Sequence, residues 1–531
     1  MVEVKPNQEK YILPGILLLA LGLRLHFLGF LYPYFEFNDE IDLVKSALSI
    51  LRTGDLNPHF FFYGSFPIYW SAFLFLLALF PSWLLSGSGV SFHSFLAGFD
   101  YHQGGMFLFY LGRLTSVLFG VGSVYLIFLV GKELFDRRSG SLAALLLAIC
   151  PFHIYFSQLF KVDSSFLFWF LLMVYFSLRI YRRGGWKNYL LAGIFFGLGL
   201  STRYNFVAFL PILVAALSRE GWRGMIKPGV WIAAYAGTAV FFLSSPYALL
   251  DLPAFLEQLR IQMTVDQQTV TFFRTDPSRL FYYQYVYQLI FIFPAFFGPL
   301  IYLAAFPGFK GLWNQDRRLF PILASYPVIF FVFFSGYSKL VMPQYQIPIL
   351  PFVFLGGSGW IVSLIAQRKN WKKKLGVMVL GLSLLFSLSD LVIPHFKEVY
   401  YVYRDAARWI DRNIPKESKV LSYTWVYSVT EKFGFQRYQQ LHAASDFSYQ
   451  DDFIKFDPDF LILTELAIFR DSRFIFLYHQ YLKLLAELDA GRLKDKYRLV
   501  RVFKPNPLWE WGAGKIYPDL QGFRIYVYGK I

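Results

Sequence analysis

Three short stretches of this 531-residue chain carry side chains that could do acid–base or phosphate chemistry. The first is Asn38-Asp39-Glu40, followed by Ile41, Val44, Leu48 and Leu51 at helical spacing and then by Arg52-Thr53-Gly54-Asp55. Such spacing predicts an amphipathic helix lying on a bilayer. Acids at its start either cap it and complement its dipole, or present a carboxylate at the water–lipid boundary that can deprotonate an acceptor hydroxyl. The second stretch is Phe160-Lys161-Val162-Asp163. Asp163 either caps the next helix, with Lys161 snorkelling, or the acid and base work as a pair, one orienting an acceptor and the other a phosphate. The third is Ser201-Thr202-Arg203-Tyr204-Asn205, where Arg203 interrupts an apolar hairpin. An ionisable residue at membrane depth is costly and faces a cavity or a partner. Lys339, at the end of a later apolar run, is a second candidate for binding phosphate as a point charge. Arg24, His26 and Arg113 fit structural roles, paired with nearby acids.

Other chemistries leave no mark. There is no Walker loop, no dinucleotide glycine fingerprint, no HExxH and no CxxC, and the eight histidines do not cluster. No metal site and no bound cofactor are therefore expected. The single cysteine, Cys150, lies in an apolar run and cannot form an intramolecular disulfide.

The elements that must position these residues follow from composition. Hydrophobic residues make up 56% of the chain and charged residues 16%, against about 25% charged in a typical soluble domain; the mean hydropathy is +0.43. Apolar runs long enough for a hydrocarbon core of about 30 Å recur from residue 11 to about 393, and charge returns in 396–531. The expected fold class is an all-α polytopic membrane domain, residues 1–395, followed by a small α/β domain, 396–531. Eleven spans are expected, at 11–31, 106–131, 139–160, 164–181, 189–203, 205–217, 229–249, 284–307, 319–337, 344–366 and 375–393. The pair 189–203 and 205–217 is short enough to be a bent hairpin. The run 11–31 lacks a small-residue cleavage site and is read as the first span.

The net charge of +16 does not point to nucleic acid. Seventeen Lys and Arg fall in five short loops (132–138, 182–187, 219–227, 310–318 and 368–374), which marks those loops as cytoplasmic. The N-terminus is then cytoplasmic, and 32–105 and the tail are extracytoplasmic, in a plasma-membrane protein. To keep that parity, the apolar stretch 66–86 must lie at the membrane surface, with Tyr69, Trp70 and Trp83 in the headgroup zone. An amphipathic helix is expected near 253–264. In the tail, strands are expected at 419–424, 460–463, 497–503 and 523–527, and helices at 400–413 and 469–490.

In this order the motifs resemble the GT-C glycosyltransferases, specifically the protein O-mannosyltransferase and lipid A aminoarabinose transferase branch. The resemblance rests on Asn38-Asp39-Glu40 after one helix, then Gly112-Arg113-Leu114, Gly131-Lys132-Glu133-Leu134-Phe135, Pro151-Phe152-His153-Ile154-Tyr155, Lys161-Val162-Asp163 and Gly197 through Asn205. It covers residues 11–366. It implies an inverting, metal-independent transfer from a polyprenyl or dolichyl monophosphate sugar to an acceptor hydroxyl on a protein, lipid or glycan. By the same analogy Asp39 is the base with Glu40 beside it, Asp163 is the second acid, and Arg203 lies near the donor. Two positions depart from the pattern. Gly64-Ser65-Phe66-Pro67 lacks the lysine that precedes this proline in the family, and Gln344-Tyr345 has Gln where Arg is usual. The expected site is thus Asp39, Glu40 and Asp163 for catalysis, with Lys161, Arg203, Lys339, Gln344 and Tyr345 around the substrate phosphate.

Three other readings make distinct predictions. A transporter or flippase predicts two repeated halves with interrupted helices, and no repeat is visible. An oligosaccharyltransferase predicts a Trp-Trp-Asp signature, which is missing. An inactive scaffold would fit the two departures.

Overall fold

The structure, a computed structural model, describes residues 6–26, 28–29, 38–87, 89–99, 106–273, 285–286, 288–335, 343–392, 395–423, 439–442, 456–465, 496–504 and 524–531. The chain divides into two compact units, one of Met1–Leu28 with Asp39–Leu391 and one of Gly29–Asn38 with Val392–Ile531.

The first unit is helical. Its elements are α1 (Pro6–Leu25), α2 (Asn38–Thr53), α3 (Phe66–Ser86), α4 (Phe92–Gly98), α5 (Met106–Leu134), α6 (Arg137–Ile149), α7 (Pro151–Ser157), α8 (Val162–Arg183), α9 (Trp186–Leu200), α10 (Leu210–Glu220), α11 (Pro228–Ser244), α12 (Tyr247–Leu250) and α13 (Leu252–Phe273). Then come α14 (Phe293–Phe297), α15 (Pro299–Gln315), α16 (Leu319–Phe330), α17 (Leu350–Ile365) and α18 (Asn370–Val392). Several begin with proline in the first turn (α3, α7, α11 and α15), where the missing N–H costs nothing. Helix α5 packs on α6 and α8, α9 on α8 and α11, and α15 on α17. Small residues set close crossings: between α9 and α11 a Cβ on Gly193 would lie 2.3 Å from the Ala233 carbonyl, and one on Gly197 2.4 Å from that of Gly237. The backbones of α9 and α11 therefore touch through residues four apart on each helix.

Two expected spans are broken. The run 139–160 forms α6 and α7 bent by 64°, because Cys150 precedes Pro151 and takes an extended conformation (φ −66°, ψ 114°). The run 284–307 breaks at Gly298 (φ 85°), just ahead of Pro299. The 189–217 hairpin turns between α9 and α10 through Ser201–Asn205 and a 3₁₀ turn at Phe206–Phe209. The amphipathic helix expected at 253–264 is the longer α13.

Among the described residues, α3, Phe107–Leu134 and α8 are each long and apolar enough to cross a membrane, and three bent pairs qualify when each is taken as one span. The chain is a multi-pass, mainly helical membrane protein. Helix α3, expected at the membrane surface, meets that test by length and composition. Arg113, near the start of α5, donates to the carbonyl of Leu28, just past the end of α1 (2.8 Å). The start of α5 and the end of α1 thus lie side by side.

The second unit holds α19 (His395–Asn413) and a five-stranded sheet of β1 (Lys419–Tyr423), β2 (Gln439–His442), β3 (Phe460–Glu465), β4 (Tyr497–Phe503) and β5 (Arg524–Lys530) in the order β2-β1-β3-β5-β4. Strand β1 is parallel to β2 and β3, while β5 is antiparallel to β3 and β4. Val420, Leu421, Leu461, Ile462, Ile525 and Val527 are buried in the sheet, and Val402, Ala406, Ala407 and Ile410 are buried on the amphipathic α19. Strand β2 was not foreseen. The helix expected at 469–490 lies outside the described residues.

Candidate active site

The polar cluster forms where α2, the 158–163 turn and the α9–α10 turn meet. Each contributes a helix end, where chain direction changes and polar side chains can converge. Asp39 and Glu40 occupy the first turn of α2. Lys161 and Asp163 straddle the start of α8, with Lys161 as its extended N-cap residue (φ −129°, ψ 159°).

The two neighbouring acids of α2 have opposite fates. Glu40 is fully buried. It takes a bidentate pair from Arg113 (Nε to Oε1 2.8 Å, Nη2 to Oε2 2.7 Å) and a third hydrogen bond from the Phe160 backbone N–H (2.7 Å). The structure thus places this expected catalytic residue behind the site, where it ties α5 and the 158–163 turn to α2. Asp39 is the more open acid, with its side chain 29% exposed, against 3% for Asp163. Its Oδ2 pairs with Lys161 Nζ at 2.6 Å, and its Oδ1 accepts from the Tyr63 hydroxyl at 2.9 Å.

Asp163 accepts from Arg203 Nη1 at 2.9 Å. The Arg203 guanidinium lies 4.7 Å from the centre of the Tyr345 ring, a cation–π contact. Gln344 shares the 3₁₀ turn Pro343–Gln346 with Tyr345. Asp39, Lys161, Asp163, Arg203 and Tyr345 therefore come together, although the sequence separates their extremes by some three hundred residues. Lys339 lies outside the described residues.

Sequence reasoning missed Tyr63. Its phenol is pushed well above its ordinary value by burial and then by the charges of Asp39 and Asp163, so it sits near both acids and stays protonated. The available signal was slight: it is the sole hydroxyl in Phe60-Phe61-Phe62-Tyr63, just ahead of Gly64. The loop behind it is fixed by backbone contact. Phe66 N–H donates to the Ser201 carbonyl (3.1 Å), Ser65 N–H to Ser245 Oγ (3.0 Å), and Tyr204 Oη to the Tyr63 carbonyl (2.8 Å). A Cβ at Gly64 would stand 2.0 Å from the Ser201 carbonyl oxygen, so only glycine fits.

A reciprocal clasp holds the 158–163 turn. Arg24, buried, donates to the carbonyls of Leu147 (3.2 Å) and Ala148 (3.0 Å) at the end of α6, and contacts His153 Nδ1 at 2.5 Å. Gln158 answers by donating to the carbonyls of Leu23, Arg24 and His26 at the end of α1. Each helix terminus thus has its open carbonyls capped by a side chain from the other segment. Arg24 was expected to pair with an acid; it caps the helix broken by Pro151 instead.

An apolar cavity of about 490 Å³ runs between α14, α15, α16 and α17, lined by Phe293, Phe309, Trp313, Phe331, Ile349 and Phe352 among others. Ile349 is four residues past Tyr345. Among the described residues no group of three or more His, Cys, Asp or Glu could hold a metal ion.

Residues 107–249 match the family model of dolichyl-phosphate-mannose-protein mannosyltransferases. That match takes in Arg113, Lys161, Asp163 and Arg203 but stops short of Asp39 and Tyr345. No curated protein matches the chain in sequence. The fold is similar to that of the oligosaccharyltransferase AglB from Archaeoglobus fulgidus, in complex with an inhibitory peptide and a dolichol-phosphate (TM-score 0.53, 11% identity, 95% of this chain and 74% of that chain). A second Archaeoglobus fulgidus oligosaccharyltransferase structure, tethered to an acceptor peptide, gives a TM-score of 0.56 at 11% identity over 100% of this chain and 89% of that chain. ArnT from Cupriavidus metallidurans bound to undecaprenyl phosphate gives 0.50 at 13% identity over 98% and 97%. The resemblance to GT-C glycosyltransferases therefore holds for the fold over nearly the whole chain, and for the sequence over residues 107–249.

Proposed function

We propose that the protein is an inverting membrane glycosyltransferase that moves a sugar from a polyprenyl monophosphate to an acceptor hydroxyl on a protein, lipid or glycan. The observation that carries this reading is the setting of Asp39: a partly exposed carboxylate beside Lys161, with Asp163 and Arg203 adjoining. Asp39 takes the proton of the acceptor hydroxyl as its oxygen attacks the anomeric carbon. The bond from that carbon to the phosphate oxygen breaks, and the polyprenyl phosphate leaves with the electron pair. Positive charge develops on the sugar and negative charge on the departing phosphate. Arg203 and Lys161 stabilise the latter, as fixed cations do best where water is partly excluded. Tyr345, stacked on Arg203, holds the guanidinium plane. Gln344 and Lys339 complete the donor side, and Glu40 supports Asp39 from behind through Arg113. The apolar cavity lined by Ile349, four residues past Tyr345, suits the prenyl chain.

This chemistry needs neither a metal nor a cofactor, since a phosphate monoester leaves readily once its charge is met by cations. The reading also carries the topology: a catalytic domain over 1–395 with eleven spans and a cytoplasmic N-terminus, the site on the extracytoplasmic side, and a soluble extracytoplasmic domain over 396–531 in the plasma membrane.

The test is mass spectrometry of surface glycans and glycoproteins from cells with the protein, without it, and with Asp39→Asn. A sugar present only with the wild-type chain supports the reading. Unchanged glycans in the Asp39→Asn strain remove Asp39 as the base, and transfer abolished by EDTA replaces the monophosphate mechanism with a metal-dependent one.

A further inference from the structure

A second polar cavity lies at the opposite end of the elements that build the cleft. It measures about 430 Å³ and is lined by Tyr181, Arg182, Arg219, Glu220 and Arg318. Helix α8 runs from Val162 to Arg183, with Asp163 of the cluster in its first turn and Tyr181 and Arg182 of this basin in its last, so the two sites are separated by about 27 Å, close to the thickness of a hydrocarbon core. The segment from Arg203 through α10 likewise ends at Arg219 and Glu220, and α16 runs from Arg318 towards the turn that bears Tyr345.

Basic residues at these ends are expected for two reasons: they complement helix C-termini and they mark a cytoplasmic face. Neither reason explains why three guanidinium groups from three separate elements converge on one cavity. Their pairing there is loose and partial. Glu220 is the sole lining carboxylate, and its Oε2 is already taken by Lys227. It lies 3.7 Å from Arg219 Nε, while Arg182 reaches Glu133 only at 3.5 Å. Asp316 is engaged by the Tyr181 hydroxyl (2.8 Å) and by the Arg318 backbone N–H (3.0 Å), not by the Arg318 guanidinium. Arg219 is held in place by its Nη1 bond to the Tyr181 carbonyl (2.8 Å). The basin gathers three guanidinium groups from three elements around a single lining carboxylate, which it shares with Lys227.

We propose that this basin binds a phosphate-bearing anion at the membrane face opposite the cleft. Planar guanidinium groups match the oxygens of a phosphate monoester or diester through paired hydrogen bonds. The ligand is either the headgroup of an anionic phospholipid or free phosphate.

The test uses the full-length protein in nanodiscs of phosphatidylcholine alone, or of phosphatidylcholine and phosphatidylglycerol in equal parts, with inorganic phosphate titrated into the first set against chloride at equal ionic strength. The readout is the thermal unfolding midpoint. Phosphatidylglycerol is expected to raise it, and Arg318→Gln to weaken that response by about fivefold in apparent affinity. Arg182→Gln is expected to act in the same direction and guards against a folding defect in one variant. A rise with inorganic phosphate that both variants weaken assigns the site to the phosphate group itself; a rise with phosphatidylglycerol alone assigns it to the lipid headgroup. Equal response of wild type and both variants, or no response to either anion, overturns the proposal.

Discussion

Tyr63 donates its hydroxyl to Oδ1 of Asp39 at 2.9 Å, leaving Oδ2 to the ammonium of Lys161. The proposed base is thus oriented through both oxygens before any substrate arrives. Tyr63→Phe should keep the fold and the donor KM while lowering kcat by about tenfold, as one oriented hydrogen bond to a charged group is worth about 1.5 kcal/mol or more. Steady-state kinetics on reconstituted protein decides it, and an unchanged kcat removes Tyr63 from the mechanism.

Asp39→Asn should lose transfer by at least about a hundredfold, the usual contribution of a general base, with unchanged expression and only a small drop in the unfolding midpoint. Single-turnover rates with a polyprenyl-phosphate sugar make the comparison. Near-normal turnover in this variant would transfer the role to another group.

Glu40 should behave in the opposite manner. Its carboxylate is buried with all its bonds to Arg113 and Phe160 made. Removing one member of such a pair leaves a buried charge unmatched and costs about 3–5 kcal/mol. Glu40→Gln is therefore expected to lower the unfolding midpoint far more than Asp39→Asn does. Equal midpoints for the two variants would refute a structural role for Glu40.

Arg203→Lys keeps the charge but gives up the planar contact with Tyr345 and the fork geometry. The donor KM should rise about tenfold with a smaller change in kcat, and Tyr345→Phe, which retains the ring, should leave both close to wild type. A donor KM that does not move in Arg203→Lys places the phosphate elsewhere.

The pH dependence follows from Lys161 and Tyr63. Burial pulls the Lys161 ammonium down, but the charges of Asp39 and Asp163 outweigh it and leave the group above its ordinary 10.5. A raised folded value means that the ion pair's contribution to stability is complete below the unfolded value and is lost as the pH climbs through the folded one. Tyr63 is raised as well. The profile of kcat/KM should therefore be flat between about pH 8 and about pH 10, below the ordinary range of both groups. An alkaline limb in that window that vanishes in Lys161→Gln would contradict this assignment.

Much of the site was legible because its charges sit at helix ends, where sequence patterns are loudest. Asp39, Lys161, Asp163 and Arg203 each break an apolar or amphipathic run, and a charge at such a place needs a partner or a function. Their pairing was not legible: nothing local links Lys161 to Asp39 rather than to Asp163, two residues away. Tyr63, Tyr204 and Gln158 escaped because each acts through a carbonyl or a carboxylate more than twenty residues distant, a relation without period or motif. The broken helix at Pro151 was available in principle from the pre-proline rule, but the continuous hydrophobicity of 139–160 masked it. In the tail, β1, β3, β4 and β5 stood out as apolar alternations, whereas the four-residue β2, Gln439–His442, has too polar a composition to announce itself.

The missing side chain at Gly64 has a mechanical corollary. With main chain resting directly on main chain at Ser201, the segment carrying Tyr63 and the bend carrying Arg203 form one rigid piece. Any opening of the polar cluster must then hinge elsewhere. The Tyr63 edge and the Arg203 edge of the cluster then keep a constant spacing.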